Sequence, residues 1–576
     1  MRIEAIGASS GIAIGKAFVL PSWEWESTDE PLQVSDLARE LERLYESIRS
    51  SKIELTTMKR ELSEVIGREE SNIFDAHLAI LDDPLFMNEV QGIIRRQYKA
   101  AEVAVKEAID KFAAMFDLLE DEYMKERALD IKDVGNRLIK HLIGAPEVRL
   151  PEDTQPFILV ARELTPSQLI HLNPNHVHGI VTMIGGKTSH SAIMARALGI
   201  PSVVGVEGKL FRPIQTGDLL IVDGDEGTLY VMPSEEEIRE HEERQRQRQR
   251  RDEQLKQLIG LPAMTKDGIP FHLGVNLNSV KEAEKAMEYG ISGVGLLRTE
   301  FLYMDRSNFP GEEEQFEAYK AVAVKLQGKP LVIRTLDIGG DKKLDYFELP
   351  EEDNPFLGYR AIRISLDRTD LFKTQLRAIL RASHYGNIKL LHPMISSVEE
   401  LRRANRLLEE CKEELRLEGY PFNPNIEVGV NIEVPAAAAI ADLLAREADF
   451  FSIGTNDLVQ YVLAVDRMNE HIASYYDPCH PAVIRLLKQT ADAAHAAGIP
   501  VSVCGEIAGD VLFLPIWIGL GIYDLSMSVQ SVLPVKQHLL HTDAEACRQL
   551  FRSIIQCSTS QEILELLKQS EELTCC

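Results

Sequence analysis

Residues 428–434 read VGVNIEV, and residues 450–457 read FFSIGTND. Each is an apolar run of strand length that ends in polar side chains. Amphipathic helical patterns such as residues 398–414 and 481–497 lie between most runs of this kind. The runs cover residues 273–277, 293–299, 331–337, 390–395, 428–434, 450–457, 501–506 and 524–527. Repeated strand–helix units of this kind predict an α/β fold, a (β/α)8 barrel whose chemistry takes place at the carboxyl ends of the strands.

Polar and charged residues stand at the carboxyl ends of these predicted strands. They are Arg298, Arg334, Glu433, Asn456, Asp457 and Cys504, with Arg360 and Arg467 in the loops beyond. Several guanidinium groups around one pocket favour an anionic substrate, because they bind phosphate and carboxylate in a bidentate way. Two carboxylates on neighbouring strands suit a magnesium ion that keeps several waters, and a thiol can donate or accept a proton. Each residue alone has a plainer interpretation: a surface salt bridge, a helix cap or a small buried cysteine.

A single histidine stands between a strand pattern and a helix pattern. Residues 180–184 (IVTMI) predict a strand, and residues 185–196 read GGKTSHSAIMAR. Thr188 or Ser189 is a good helix cap, so His190 opens a helix whose unpaired N–H groups favour an anion. A histidine there suits a neutral nucleophile that carries a phosphoryl group. The plainer interpretation is a surface histidine near a helix cap.

The remaining patterns predict the domain organisation. Leucine and isoleucine at helical spacing from Leu37 to Leu62 begin an all-helical region, and strand patterns resume at residue 156. We predict a phosphohistidine α/β domain (residues 1–20 and 145–233), an inserted helical subdomain (21–144), a helical linker (234–260) and a barrel domain (261–576). The linker contains the basic run 244–251 (RQRQRQRR), for which the alternative is a nucleic-acid contact. The flanking acidic residues favour a solvated helix.

Composition narrows the function classes. The chain has 576 residues and a net charge of -27, which argues against general binding to nucleic acid or anionic membranes and is compatible with a basic protein partner. We find no signal-peptide pattern and no apolar run of the roughly 18 residues that cross a membrane. The seven cysteines, Cys575 and Cys576 among them, form no CxxC array, so we expect a reduced, cytoplasmic protein without a disulfide framework.

The motifs together resemble Enzyme I of the bacterial phosphotransferase system. The histidine segment continues as GIPSVVG in residues 199–205. The barrel motifs are GVGLLRTEFL (293–302), RTLDIGGDK (334–342), NPFLGYRAIR (354–363), EVPAAA (433–438), SIGTNDLVQY (452–461) and CGEIAGD (504–510). The resemblance covers nearly the whole chain in order, including the inserted helices.

The resemblance implies a reaction and assigns a role to each matching residue. Phosphoenolpyruvate phosphorylates His190, pyruvate leaves, and the phosphoryl group passes to a histidine of the carrier protein HPr. Arg298, Arg334, Arg360, Asn456, Asp457 and Arg467 bind the substrate, Glu433 and Asp457 bind Mg²⁺, and Cys504 protonates the enolate. The helical subdomain docks HPr, and we predict the surface around Phe74, His77 and Leu81. The family also implies a homodimer through the barrel and a hinge at the linker that carries His190 between its two partners.

Three positions depart from the pattern of this family. Lys187 stands where arginine is common, His392 replaces an aromatic residue near a strand end, and Asn431 replaces an apolar residue. Residues two apart on a strand share a face, so Asn431 is expected to point the same way as Glu433. Both His392 and Asn431 are expected to add polarity near the site.

Two other functions compete with this one. A pyruvate phosphate dikinase or phosphoenolpyruvate synthase shares the histidine domain and barrel, but carries a large nucleotide-binding domain for which the residues before His190 leave no room. A regulatory member would sense phosphorylation state with slow turnover. Its nitrogen-signalling branch has an extra N-terminal sensory domain, which we do not expect here.

Overall fold

The computed structural model describes residues 1–20, 32–65, 73–117, 122–144, 156–164, 176–186, 189–304, 306–340, 342, 344, 346–469 and 471–574. Lys187, Thr188, Cys575 and Cys576, on which sequence predictions fell, lie outside these residues. His190 is described by its backbone alone. The chain divides into two compact units, residues 1–250 and 251–576.

The first unit is built on an eight-stranded mixed sheet with strand order β1-β8-β7-β3-β4-β5-β6-β2. Its strands are β1 (Arg2–Glu4), β2 (Ile6–Ser9), β3 (Ile12–Val19), β4 (Phe157–Ala161), β5 (Val177–Thr182), β6 (Ser202–Val204), β7 (Leu219–Asp223) and β8 (Thr228–Val231). The run β3-β4-β5-β6 is parallel, and the other pairings are antiparallel. Strand β4 packs Phe157 and Leu159 against the helices and Ile158 and Val160 on the opposite face. Burial on both faces explains why its sequence is continuously apolar.

The helices of the first unit follow the predicted apolar stripes. They span Leu37–Val65, Ile73–Asp82, Pro84–Gln97, Ala101–Asp117, Glu122–Ile143 and His190–Leu198, and the helix Glu235–Gln257 continues past the division at residue 250. The first five share one apolar core with strands β4 and β5. Pro84 opens its helix after the N-cap Asp83, whose carboxylate accepts from the Leu85 N–H at 2.7 Å.

The basic run lies on the helix Glu235–Gln257. Arg244 Nη1 is 2.8 Å from Asp223 Oδ2, and Arg248 Nη1 is 2.8 Å from Asp225 Oδ2. Arg246 pairs with Glu242 one turn away at 3.2 Å. These arginines are therefore engaged by acidic groups of the same unit, which favours the solvated helix over a nucleic-acid contact.

The second unit is a closed barrel of eight parallel strands. They are β9 (His272–Leu277), β10 (Gly293–Leu297), β11 (Leu331–Arg334), β12 (Ile388–His392), β13 (Val428–Ile432), β14 (Phe450–Ile453), β15 (Val501–Val503) and β16 (Asp524–Met527). Its helices span Val280–Met287, Glu312–Lys325, Ile362–Asp367, Thr369–Ala382, Val398–Glu418, Pro435–Ala439, Ala441–Leu444, Thr455–Leu463, Pro481–Ala497, Leu514–Leu520, Val532–His541, Ala544–Ile554 and Ser560–Thr574.

The predicted fold class is confirmed, with the inserted helices, the linker helix and the barrel all present. Several predicted strands end earlier than their apolar runs. The run that begins at Phe450 leaves the barrel after Ile453, and Gly454 starts a helix that contains Asp457. Most of the predicted polar residues therefore lie just beyond the strand ends, whereas Arg334 is the last residue of β11. In the described parts of the chain, no helix is long and apolar enough to cross a membrane.

Candidate active site

An ion-paired chain of four residues lies at the carboxyl ends of strands β11 to β14. Arg334 Nη1 is 2.9 Å from Asp337 Oδ2, and Arg360 Nη2 is 3.0 Å from Asp337 Oδ1. Arg360 also reaches Asp457, with Nη1 3.3 Å from Oδ1. All four side chains are buried. Burial alone would raise the pKa of Asp337, yet the charges of Arg334 and Arg360 together hold that pKa well below its usual range.

Three members of this cluster were not assigned a role from the sequence, although each lies inside a quoted motif. Glu300 accepts from Arg334 Nη2 at 2.5 Å. Lys342 Nζ lies 3.3 Å from Glu300 Oε1 and 3.7 Å from Asp337 Oδ2. Glu300 and Asp337 thus hold Arg334 in place, and Lys342 pairs with the same two carboxylates. The sequence signal that could have identified them is that they are charged residues within the motifs 293–302 and 334–342.

Glu433 follows strand β13 and is almost fully buried. Its Oε1 accepts from the Met394 N–H at 2.6 Å, and its Oε2 accepts from Asn431 Nδ2. The expectation that Asn431 shares a face with Glu433 is therefore confirmed. Burial and the charge of Asp457 raise the pKa of Glu433 to about 8, although the charge of Arg334 partly offsets both.

Cys504 follows strand β15 and is buried inside the barrel. Its Sγ lies 3.6 Å from Asn431 Oδ1 and 3.6 Å from the carbonyl oxygen of Ile453. Burial raises the pKa of the thiol to about 11, so the group is protonated near pH 7. A protonated thiol at this position is chemically able to serve as an acid.

The other three predicted ligands hold fewer contacts. Arg298 Nη1 donates to Asn278 Oδ1 at 3.1 Å. Asn456 is tied to Glu506 by two hydrogen bonds, at 3.2 and 3.0 Å. Arg467 Nη1 is buried and finds no hydrogen-bond partner among the described residues. A buried guanidinium N–H without a partner is a ready donor for an anion.

The histidine segment is described by its backbone and by Ser189. His190 is the first residue of the helix His190–Leu198, and Ser189 is its N-cap residue. The Ser189 hydroxyl makes no capping bond and instead donates to the Gly186 carbonyl at 2.8 Å. The first-turn N–H groups are therefore not occupied by this side chain, and His190 stands at the positive end of the helix dipole.

The predicted partner surface is wrong for the three residues that were named. Phe74, His77 and Leu81 are 0%, 0% and 2% exposed. Phe74 and Leu81 belong to the helical core, and His77 Nε2 lies 3.3 Å from the buried Asp130 Oδ1. Their helix presents this face to the other helices, so these side chains cannot contact a partner.

His392 was expected near the site and lies elsewhere. Its ring packs edge-on against Phe372 of the helix Thr369–Ala382, with centroids 5.9 Å apart. The preceding residue, Leu391, belongs instead to the cluster inside the barrel that contains Cys504. His392 therefore faces the helix layer, because alternate strand residues point to opposite faces. Neither ring nitrogen has a hydrogen-bond partner among the described residues.

His392 is expected to make the barrel acid-sensitive. Burial lowers its pKa to about 4 from a usual value of 6.5. Because the folded state binds the proton less tightly than the unfolded state, stability is lost as pH falls from 6.5 towards 4. Relative to wild type, His392→Phe should gain roughly 3 kcal/mol over this range. Urea unfolding at several pH values measures the gain, and His384→Phe, at an exposed histidine, should leave the pH dependence unchanged. A parallel pH dependence in wild type and His392→Phe would contradict the prediction.

The donor set of the barrel mouth fits a hard divalent cation. Glu433 and Asp457 are two buried carboxylates, and the charge of Asp457 helps to raise the pKa of Glu433. A cation between them would relieve that repulsion, and Mg²⁺ commonly binds to one or two carboxylates plus water and substrate oxygens. The residues present therefore suit such an ion.

Comparison with known proteins places the chain in a class. Models of three parts of the PEP-utilising enzymes match in order: the N-terminal part over residues 4–127, the mobile domain over 153–227 and the PEP-binding domain over 252–544. The barrel with its basic and acidic mouth is thus the PEP-binding domain of a PEP-utilising enzyme.

Full-length relatives narrow this class to one family. The chain is 44% identical to the phosphoenolpyruvate-protein phosphotransferase of Bacillus subtilis over 569 residues, which is 99% of each chain. It is 41% identical to that of Staphylococcus carnosus, over 99% of each chain, and 43% identical to that of Geobacillus stearothermophilus, over 99% of this chain and 98% of the relative. The chain belongs to the phosphoenolpyruvate-protein phosphotransferase family and is an enzyme.

Proposed function

We propose that this enzyme transfers the phosphoryl group of phosphoenolpyruvate to its own His190 and then to a histidine of HPr, the first step of sugar uptake by the phosphotransferase system. The observation that carries the proposal is the buried chain Arg334–Asp337–Arg360–Asp457 beside Glu433. It holds the guanidinium groups of Arg334 and Arg360 in fixed positions, where we place the phosphate and carboxylate of the substrate.

The arginines act by position and charge. Arg334 and Arg360 are held rigidly by buried acids, so they need little reorganisation to face a phosphoryl group. Arg298, Arg467 and the Asn456 amide are less constrained and complete the substrate pocket. Glu433 and Asp457 would hold Mg²⁺. When bound, the ion neutralises charge on the transferring group.

The chemistry has two balanced steps. The His190 nitrogen attacks phosphorus, an N–P bond forms, and the P–O bond to the enol oxygen breaks. The enolate left behind takes the thiol proton of Cys504 at its methylene carbon, which gives pyruvate and a thiolate. The thiolate is then reprotonated from water. The protonated state of the buried Cys504 supports this assignment.

The division of labour follows the predicted domains. Residues 1–20 and 145–233 would carry the phosphohistidine, 21–144 would dock HPr, 234–260 would act as the linker, and 261–576 would bind phosphoenolpyruvate and form the homodimer. We place the enzyme in the cytoplasm, where HPr and phosphoenolpyruvate are available. The acidic balance of the chain, a net charge of -27, suits a basic carrier protein.

Leu85 is the better candidate for the HPr surface than the buried residues named above. It lies in the first turn of the helix Pro84–Gln97 and is 70% exposed. Leu85→Glu should slow phosphoryl transfer to HPr by about tenfold, through loss of an apolar contact at an interface. Self-phosphorylation by phosphoenolpyruvate should be unchanged. Leu417→Glu, at an exposed leucine of the barrel unit, is the control. Equal transfer rates in wild type and Leu85→Glu would exclude this surface.

Transfer from the phosphorylated enzyme tests the proposed function. Enzyme labelled from radioactive phosphoenolpyruvate is freed of substrate and mixed with HPr, and label is expected to move to HPr within the mixing time. HPr lacking its acceptor histidine is the control. If the label stays on the enzyme, the result would favour the alternative function of a regulatory protein with slow turnover. Parallel labelling with Mg²⁺, Mn²⁺ or a chelator identifies the metal.

A further inference from the structure

The side chain of Asn431 lies between Cys504 and Glu433 and contacts both. Its Oδ1 lies 3.6 Å from Cys504 Sγ, and its Nδ2 donates to Glu433 Oε2. All three side chains are buried inside the barrel. One amide therefore contacts both the group proposed as acid and a carboxylate proposed as metal ligand.

The contacts determine which way the amide faces. In the ionised state that would bind a cation, the Glu433 carboxylate only accepts hydrogen bonds, so the amide nitrogen faces Glu433. The amide oxygen is then left to accept from the thiol, which is protonated near pH 7. The reverse orientation would set two oxygens against each other and remove the amide oxygen as an acceptor for the thiol.

The surrounding backbone keeps this arrangement in place. Gly454 packs so closely that a Cβ at that position would lie 2.7 Å from Glu433 Oε2 and 3.0 Å from Asn431 Nδ2. The Met394 N–H holds the other oxygen of Glu433 at 2.6 Å. The carbonyl of Cys504 accepts from Asn276 Nδ2 at 2.9 Å. Because Glu433 and Cys504 are both held in place, the Asn431 amide can contact both of them in one position only.

We propose that Asn431 is a positioning residue that holds the Cys504 thiol in the direction from which its proton reaches the enolate. The proposal rests on the acid role of Cys504 in the proposed function. An apolar residue at this position would leave the thiol free to turn towards the Ile453 carbonyl. Proton transfer would then slow, whereas phosphoryl transfer, which does not use the thiol, would continue.

The test separates the two steps. Deuterium exchange into the methyl group of pyruvate, followed by NMR in heavy water with Mg²⁺, reports the proton step. Labelling from phosphoenolpyruvate in a single turnover reports the phosphoryl step.

Asn431→Leu should slow exchange by about tenfold and slow labelling by less than about threefold. Asn431→Met, which fills the same space with a flexible side chain, is the second variant. Retained labelling shows that either variant is folded. Ser502→Ala, two residues before Cys504 on strand β15, removes a different hydrogen bond, to Phe451, and should change neither rate.

A double-mutant cycle shows whether Asn431 acts through Cys504. In a Cys504→Ala background, Asn431→Leu should cause no further loss of exchange. The proposal would be overturned if the losses of exchange in the two single variants multiplied in the double variant. It would also be overturned if Asn431→Leu kept its exchange rate within twofold of wild type, or if it slowed exchange and labelling equally. If Cys504→Ala exchanged deuterium at the wild-type rate, both this proposal and the acid role of Cys504 would be overturned. The label on His190 would still decide the proposed function separately.

Discussion

Replacing Arg334 with methionine is expected to cost both activity and stability. Arg334 holds Glu300 at 2.5 Å and Asp337 at 2.9 Å, and all three are buried. Without it, the cationic partners left among the described residues are Arg360 and Lys342 for Asp337, and Lys342 for Glu300. Removing one partner of a buried ion pair typically costs about 3–5 kcal/mol, because an uncompensated charge stays behind.

The same substitution removes a preorganised cation from the proposed phosphoryl site. Loss of one such donor typically lowers kcat by about a hundredfold to a thousandfold. Urea unfolding and single-turnover labelling measure the two losses. Arg402→Met is the matched control, because Arg402 makes one exposed ion pair with Glu447 and such pairs contribute about 1 kcal/mol or less. Wild-type stability in Arg334→Met would show that the buried network is not held by this arginine.

Glu433→Gln is expected to inactivate the enzyme while leaving it more stable in the absence of metal. Burial and the nearby Asp457 raise the pKa of Glu433 to about 8. A raised carboxyl pKa means that stability present below the unfolded value near 4.5 is lost as pH rises through 8. A neutral amide avoids that loss, and at pH 7 the gain should be about 3 kcal/mol.

Magnesium should reverse the order of stability. The ion binds the folded wild type and stabilises it by mass action, whereas the variant has lost a charged ligand. Unfolding with a chelator and with millimolar Mg²⁺ gives the comparison, and labelling from phosphoenolpyruvate should fall at least about a hundredfold. Glu427→Gln, just before the same strand and paired with Lys389, should respond to Mg²⁺ like wild type. Equal Mg²⁺ stabilisation of Glu433→Gln would remove Glu433 from the metal site.

The barrel was predictable from sequence because its strands are short apolar runs with helices between them. Their carboxyl ends also placed Arg334, Arg360, Glu433 and Asp457 on one face. The period of two along a strand correctly oriented Asn431. Several strands were predicted to extend too far. The apolar run that begins at Phe450, for example, continues past Ile453, where the strand ends and Gly454 begins a helix.

Partners in space could not be read from the sequence. Glu300 and Lys342 are 42 residues apart, and nothing local shows that Lys342 pairs with the carboxylate that also binds Arg334. Phe74 and His77 lie on an amphipathic helix, where a histidine at the edge of the apolar stripe is compatible with burial or exposure. His392 was misplaced for a related reason: in a doubly covered strand both faces are apolar, so the pattern does not say which one meets the helices.

The central claim is that phosphoenolpyruvate phosphorylates His190 without a nucleotide. The direct measurement is incorporation of radiolabelled phosphate from phosphoenolpyruvate, with Mg²⁺ and no nucleotide, into wild type and His190→Ala. We predict an acid-labile, base-stable label in the wild type and none in the variant. Equal labelling of His190→Ala, or labelling of wild type only when AMP and pyrophosphate are supplied, would contradict it.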